Sequence, residues 1–219
     1  ENVGAWADTL TVNNVATIKP SQARYNLFTN TAGGVHDDVI FYRLDENEWL
    51  LVVNASNADK MWAHLNANLA DGVRLRDARA SSALIAVQGP DSAALLAPRA
   101  TADVGAMKYY SCLRATVFGK DAIVARTGYT GEDGFELFLA ADDAVSVWRD
   151  LRSAAGNALE PCGLGARDVL RLEAGMPLYG HEIDENTSPL QGGQAWAVKM
   201  NKPAFVGKDA LADQIARDD

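Results

Sequence analysis

SCLRATVFGKDAIVARTGYTGEDGFELFLA, residues 111–140, reads as three strands, 111–118, 121–127 and 134–140. Closely spaced β-rich runs separated by glycine-containing turns suggest antiparallel pairing. A two-residue turn would be enough to join the second and third strands. The connection present is longer and holds Gly128, Gly131 and Gly134. Glycine allows positive φ and close approach of the backbone to a ligand, but the same pattern also suits a bulged hairpin loop. Past the loop, alternation sets Phe135, Leu137 and Leu139 on one face and Glu136 with Phe138 on the other. Both faces look apolar, which implies a carboxylate that is at least partly buried. Such a group requires donors, because an unpaired buried charge costs several kcal/mol. An arginine of the chain, Arg126 or Arg167, could supply them. So could a ligand with two adjacent N–H groups.

The rest of the chain extends the same pattern. Residues 3–11 read as the end of a helix, followed by strands at 23–30, 35–44 and 49–55 in a meander. SNADKMWAHLNANLADG (56–72) is a helix with Met61, Leu65 and Leu69 on one stripe and a glycine stop. His64 lies off that stripe and reads as a solvated surface residue. VRLRDA (73–78) reads as a short strand, SALIAVQG (82–89) as another, and Pro90 as opening a short helix. A helix over 142–156 is expected to be capped by Asp142 and closed by Gly156. Another over 163–176 is expected to bury Val169, Leu172 and Met176. From Pro177 the chain turns irregular. The fold class is α+β: antiparallel sheets flanked by helices, in two lobes, 1–78 and 79–219.

Two further stretches could carry chemistry. In VHDDVIFY (35–42), alternation puts His36, Asp38, Ile40 and Tyr42 on one face and Asp37, Val39 and Phe41 on the other. Adjacent aspartates are disfavoured in strands. Either Asp38 acts on a substrate nitrogen with Tyr42 against a planar ligand, or the pair begins an exposed strand end. In GLGARDVLRLEAGM (163–176), Asp168 and Arg171 are spaced as a surface pair. Arg167 lies in the first helical turn, where the dipole disfavours a cation unless it reaches an anion. His181, in the loop that follows, has no evident catalytic partner.

Composition narrows the function classes. The 219 residues carry 20 basic and 29 acidic side chains, a net charge of −9, with no dense Lys/Arg block. This argues against nonspecific binding to nucleic acid or anionic membrane. No run of about eighteen apolar residues could form a spanning helix. Cys112 and Cys162, with His36, His64 and His181, fit no metal spacing, and no metal is expected. A reducing compartment is the default. The opening ENVGAWADTL lacks a starting methionine, which leaves a removed targeting peptide open.

NLFTNTAGGVHDDVIFY, ALIAVQGP, RTGYTGEDGFEL, GLGARDVLRLEAGMPLYGHEIDENTSP and AWAVKMNKPAFVGKDAL together resemble, in order, the glycine cleavage system T proteins, tetrahydrofolate-dependent aminomethyltransferases. The resemblance implies a folate site between lobes and the family's reaction. In that reaction the methylene of an aminomethyl group on the lipoyl arm of the H protein passes to tetrahydrofolate, with release of ammonia. By resemblance Asp38 is the catalytic candidate and Glu136 holds the pterin ring. Tyr25, Tyr42, Tyr110 and Tyr129 line the pocket, and Arg167 lies near the folate. Tetrahydrofolate is the co-substrate and the lipoylated H protein the partner. The implied location is the cytoplasm in a bacterium or the mitochondrial matrix in a eukaryote.

Thr31 departs from the family's usual glutamate before AGG, and Gln191–Gln194 from a more apolar stretch. Measured against the family's three-lobed ring, the chain lacks an opening segment and a C-terminal barrel, and weak folate binding by this chain is expected. The alternative is a folate-binding module of the dimethylglycine or sarcosine dehydrogenase type, or a non-catalytic folate-binding protein of the same fold.

Overall fold

A computed structural model describes residues 2–217 and divides them into two compact units. The first runs through Arg76 and takes up the chain again from Pro177; the second is Asp77–Met176. Residues 177–217 therefore group with the first unit rather than with the second lobe to which the sequence assigned them. The reason is a core in which Ile183, Ala197, Phe205 and Leu211 bury against Val12, Leu27 and Val35. An irregular segment leaves no helical or strand period to read, but its apolar residues still need a partner surface.

In the first unit β1 (Gln22–Thr29), β2 (Val35–Arg43) and β3 (Trp49–Val52) form an antiparallel sheet in that order. A register shift between Phe28 and Thr29 bends the first strand. On one side α1 (Asn2–Leu10) and α2 (Ala58–Ala67) bury Trp6, Leu10, Met61 and Leu65 with Phe28, Val39 and Phe41. α2 ends before Leu69, which is 42% exposed, so its stripe is shorter than the sequence suggested. VRLRDA forms no strand. Val73 is buried and Leu75 packs on the same core, while Asp77 and Arg79 pair locally at 2.6 Å.

The AGG turn between β1 and β2 receives the returning segment. Val35 N donates to the carbonyls of Asp184 (2.9 Å) and Thr187 (3.0 Å). Gly33 has φ +88°, and a Cβ on Gly34 would lie 1.8 Å from the Glu185 carbonyl oxygen. Only glycine lets that backbone come so close.

In the second unit β4 (Ser82–Gln88), β5 (Cys112–Val117), β6 (Lys120–Ala125) and β7 (Gly134–Ala140) form an antiparallel sheet in the order β4-β7-β6-β5. α3 (Ser92–Leu96) and α4 (Ala144–Ala155) belong to this unit, and Leu96, Val147 and Leu151 bury with Ile85, Val87, Phe135, Leu137 and Leu139. Gly156 closes α4 with φ +55° as expected, but Asp143 rather than Asp142 holds the N-cap position, without a side-chain capping bond.

α5 (Leu164–Glu173) departs most from its pattern. Val169 and Leu172 are 55% and 58% exposed, while Arg171 is 3% exposed. Burial of Arg171 is tolerated because its guanidinium donates to Asp168 at 2.8 Å and to the Met176 carbonyl at 3.3 Å. A buried cation stays stable only with such partners. α6 (Lys208–Arg217) buries Leu211 in the first unit.

Gly34→Ala is expected to destabilise the first unit by ~1–3 kcal/mol, because backbone and not a flexible side chain must move. Gly165→Ala, inside α5 with nothing within 4 Å, should be neutral or stabilising by up to about 1 kcal/mol. Urea unfolding of the two variants compares them directly.

Candidate functional site

Asp38 lies on β2 opposite Leu27, and Tyr25 is two residues away on the neighbouring strand. The Tyr25 hydroxyl donates to Asp38 Oδ2 at 3.2 Å. Asn54, just past β3, donates its Nδ2 to Asp38 Oδ1 at 2.6 Å and to the Asp38 carbonyl at 3.1 Å. Burial pushes the Asp38 carboxyl up to about 6; the negative charge of Asp37 adds to this, and the bonds from Asn54 and Tyr25 oppose it. The first unit thus carries a carboxyl able to exchange a proton near neutral pH.

Asp37 does not begin an exposed strand end: its exposure is 0%. Its Oδ1 accepts from Asn54 Nδ2 at 3.0 Å and from Asn57 Nδ2 at 2.6 Å, and its Oδ2 from Asn54 N at 3.3 Å. These bonds replace the water that a buried carboxylate gives up. Tyr42 is also fully buried. It shares the strand face of Asp38 by alternation, but its ring is closed off within the first unit. The aromatic surface beside Asp38 is Trp196, 59% exposed and stacked on Tyr25 with centroids 5.5 Å apart and planes at 28°.

His64 is not a solvated surface residue. Its ring meets the edge of Phe28 at 5.7 Å and lies 4.8 Å from His36, and burial lowers the pKa of both histidines. His36 Nδ1 is 3.1 Å from Glu185, which also pairs with Lys60 at 3.1 Å. Among the described residues no group of three or more His, Cys, Asp or Glu could hold a metal ion.

In the second unit Glu136 projects from β7 on the half-exposed face, opposite Ala86 and Ala125, with Phe138 two residues along the strand between Leu84 and Ile123. Its Oε2 accepts from the Thr127 hydroxyl at 2.5 Å. Arg126 is committed elsewhere: it clamps Asp133 at 2.8 and 2.6 Å and donates to the carbonyls of Gly105 and Met107. Tyr110 is half-buried in a left-handed conformation, φ +60°, and burial raises its hydroxyl. The charge of Glu136 acts on both Tyr110 and Tyr109, which pack edge to face at 4.8 Å. Arg167 is exposed, its guanidinium 4.6 Å from the Tyr129 ring. That cation–π contact accounts for a cation in the first turn of α5.

The glycines of the 125–137 loop serve an internal side chain. A Cβ on Gly128 or Gly134 would lie 1.8 or 2.4 Å from Gln88 Oε1. Gln88 Nε2 donates to the carbonyls of Thr127 (3.2 Å) and Phe135 (3.1 Å), tying both ends of the loop together. Gly131 has φ +78°.

The site in the first unit therefore joins Asp38 with Tyr25, and the second unit joins Glu136 with Tyr110 and, separately, Tyr129 with Arg167. Sequence reasoning missed Asn54, Asn57, Trp196, Thr127 and Gln88. The signal for the asparagines was the N-x-x-N spacing after β3, where two adjacent aspartates of the preceding strand needed donors.

Residues 1–202 match the GCVT N-terminal domain family, and the chain belongs to it. The aminomethyltransferase of Streptomyces coelicolor is 47% identical over 209 residues, covering 94% of this chain and 56% of that protein. That of Thermus thermophilus is 49% identical over 215 residues, 97% and 59% respectively. The crystal structure of glycine cleavage system aminomethyltransferase T from Bartonella henselae superposes with a TM-score of 0.87 at 32% identity, over 99% of this chain and 59% of that one. A heterotetrameric sarcosine oxidase from Corynebacterium sp. U-96 shares the fold, with a TM-score of 0.52 at 15% identity. The chain spans somewhat over half the length of the curated relatives it matches.

The raised carboxyl of Asp38 makes a pH-dependent demand on stability. The folded form holds this proton more tightly than the unfolded chain, so its contribution is fully present below about pH 4. It is lost as pH rises through about 6. Asp38→Asn, uncharged throughout, should be more stable than the parent at pH 7.5, by up to about 3 kcal/mol, and show no such advantage at pH 4. Urea denaturation at the two pH values tests this.

Proposed function

We propose that the chain carries the folate-site residues of an aminomethyltransferase of the glycine cleavage system. The reaction passes the methylene of a lipoyl-bound aminomethyl group to tetrahydrofolate and releases ammonia. The observation that carries this reading is Asp38: a half-buried carboxyl pushed up to about 6, held on both oxygens by Asn54 and Tyr25. Near neutral pH such a group can hold or move a proton at a substrate nitrogen without a large mismatch. Membership of the GCVT N-terminal domain family and the names of the longer relatives support the choice of substrates.

The donor set fits a pterin. Glu136 offers a carboxylate from the open face of β7, one oxygen already oriented by Thr127, to a ring edge with adjacent N–H donors. Tyr110, beside it, and Tyr129, turned toward Arg167, supply aromatic and hydroxyl surface. Tetrahydrofolate, when bound, supplies the nitrogens that take up the methylene. The chain's part is to orient both reactants and keep a proton acceptor at Asp38 Oδ2 or Oδ1. The lipoylated H protein is the partner this chemistry requires, and no resident metal is needed.

In the full-length protein, Asp38→Ala should lower folate-dependent ammonia release by about 10²–10⁴-fold with the fold retained by circular dichroism. Unchanged turnover would remove Asp38 from the mechanism. In the same full-length protein, Glu136→Gln, which replaces one acceptor oxygen by a donor, should weaken tetrahydrofolate binding by at least about tenfold in calorimetric titration.

A further inference from the structure

We propose that Asp37 is a positioning residue that acts on Asp38 through Asn54, by fixing which end of the Asn54 amide faces the Asp38 carboxyl. The inference rests on the reading of Asp38 as the reacting carboxyl. Asn54 is the pivot. Its single Nδ2 lies 3.0 Å from Asp37 Oδ1, 2.6 Å from Asp38 Oδ1 and 3.1 Å from the Asp38 carbonyl. Neighbouring side chains on a strand point to opposite faces. A nitrogen placed just beyond the end of β3 can nevertheless serve both carboxylates.

An asparagine amide has two chemically opposite ends of nearly the same shape. Rotated by half a turn, Asn54 would present its oxygen to two carboxylates and stabilise neither. Asp37 prevents this. It is fully buried and accepts from the Asn54 backbone N–H as well as its side chain, and Asn57 Nδ2 holds Asp37 itself at 2.6 Å. Asp37 has no solvent to turn to, so the orientation of Asn54 is set from the buried side.

Asp37 thus reaches Asp38 by two routes of opposite sign. Its charge raises the Asp38 carboxyl, while the Asn54 bond it maintains lowers it, and the bond is the larger of the two. The other groups around the pair are Tyr25 from β1, which donates to Asp38, and Lys60 from α2, whose charge lowers Asp37. His36, next along β2, feels the charge of Asp37. In Asp37→Ala the Asn54 and Asn57 side-chain nitrogens lose the oxygen they share. Asn54 is released, and Asp38 loses its best donor together with the neighbouring charge.

The test is a titration of the side-chain carboxyl of Asp38 by carbon-13 NMR in the 219-residue chain. Asp37→Ala should move the Asp38 midpoint upward by about one pH unit. In an Asn54→Ala background the same substitution should move it downward, because only the charge remains to be removed. A downward shift in the otherwise unchanged chain would overturn the proposal and leave Asp37 as a neighbouring charge. Should Asp37→Ala fail to fold, the unchanged chain still decides. Asn54 side-chain amide protons that exchange with water much more slowly than those of an exposed asparagine support the clamp, and exchange at the exposed rate rules it out. Absence of aminomethyl transfer with the titration behaving as described would remove the reaction and keep the clamp.

Discussion

Two adjacent carboxylates on β2 must be held away from bulk water, and much of the first unit's local architecture answers that demand. Removing a carboxylate from water costs several kcal/mol unless donors replace the solvent. Here the donors come from a short segment, Asn54 to Asn57, that leaves β3 and turns into α2. Its position is set by the register of the β2–β3 ladder, in which Ile40 pairs with Val52. Carried two residues further, that register brings Asn54 opposite Asp38. A slip of one residue would turn the pair of carboxylates to the wrong faces and remove their donors together.

The two carboxylates then divide by environment. Asp37 is satisfied on both oxygens from within the unit and has no access to solvent. Asp38 sits less deeply, between Asn54 and Tyr25, and its proton is lost near neutrality. The residue alternation that looked like an awkward double aspartate separates a fully buried carboxylate from a half-buried one.

Element type was legible wherever period and punctuation agreed. The strands of both sheets carried their alternation, and Gly156 marked the end of α4. The failures share a cause, which is that polar partners are invisible in one dimension. On α5 the apolar residues at 169 and 172 suggested a core face, but Arg171 takes the buried place because Asp168 and a backbone carbonyl satisfy it. His64 fell off the apolar stripe of α2, yet its ring is aromatic enough to pack on Phe28 and His36. Asp38 and Glu136, one in each unit, stood out as carboxylates in apolar strands, and Tyr42 stood out as an aromatic sharing the face of Asp38. Only burial, which alternation alone does not give, shows that Tyr42 is enclosed while Trp196 is open.

The segment after Pro177 shows how much of a site can come from sequence without regular structure. It places Glu185 beside His36 and Lys60, and Tyr179 under the Lys60 ammonium, 4.6 Å from the ring centre. It also lays Trp196 across Tyr25, the residue that donates to Asp38. Its backbone is accepted at the AGG turn only because Gly34 has no side chain, and its apolar residues close a core with Leu27 and Val35. A ring stacked on Tyr25 restricts where the tyrosine hydroxyl can swing. The return segment therefore bears on the second oxygen of Asp38 much as Asn54 bears on the first. The Asp38 carboxyl is held from both sides, by a loop on one edge of the sheet and by an aromatic stack on the other.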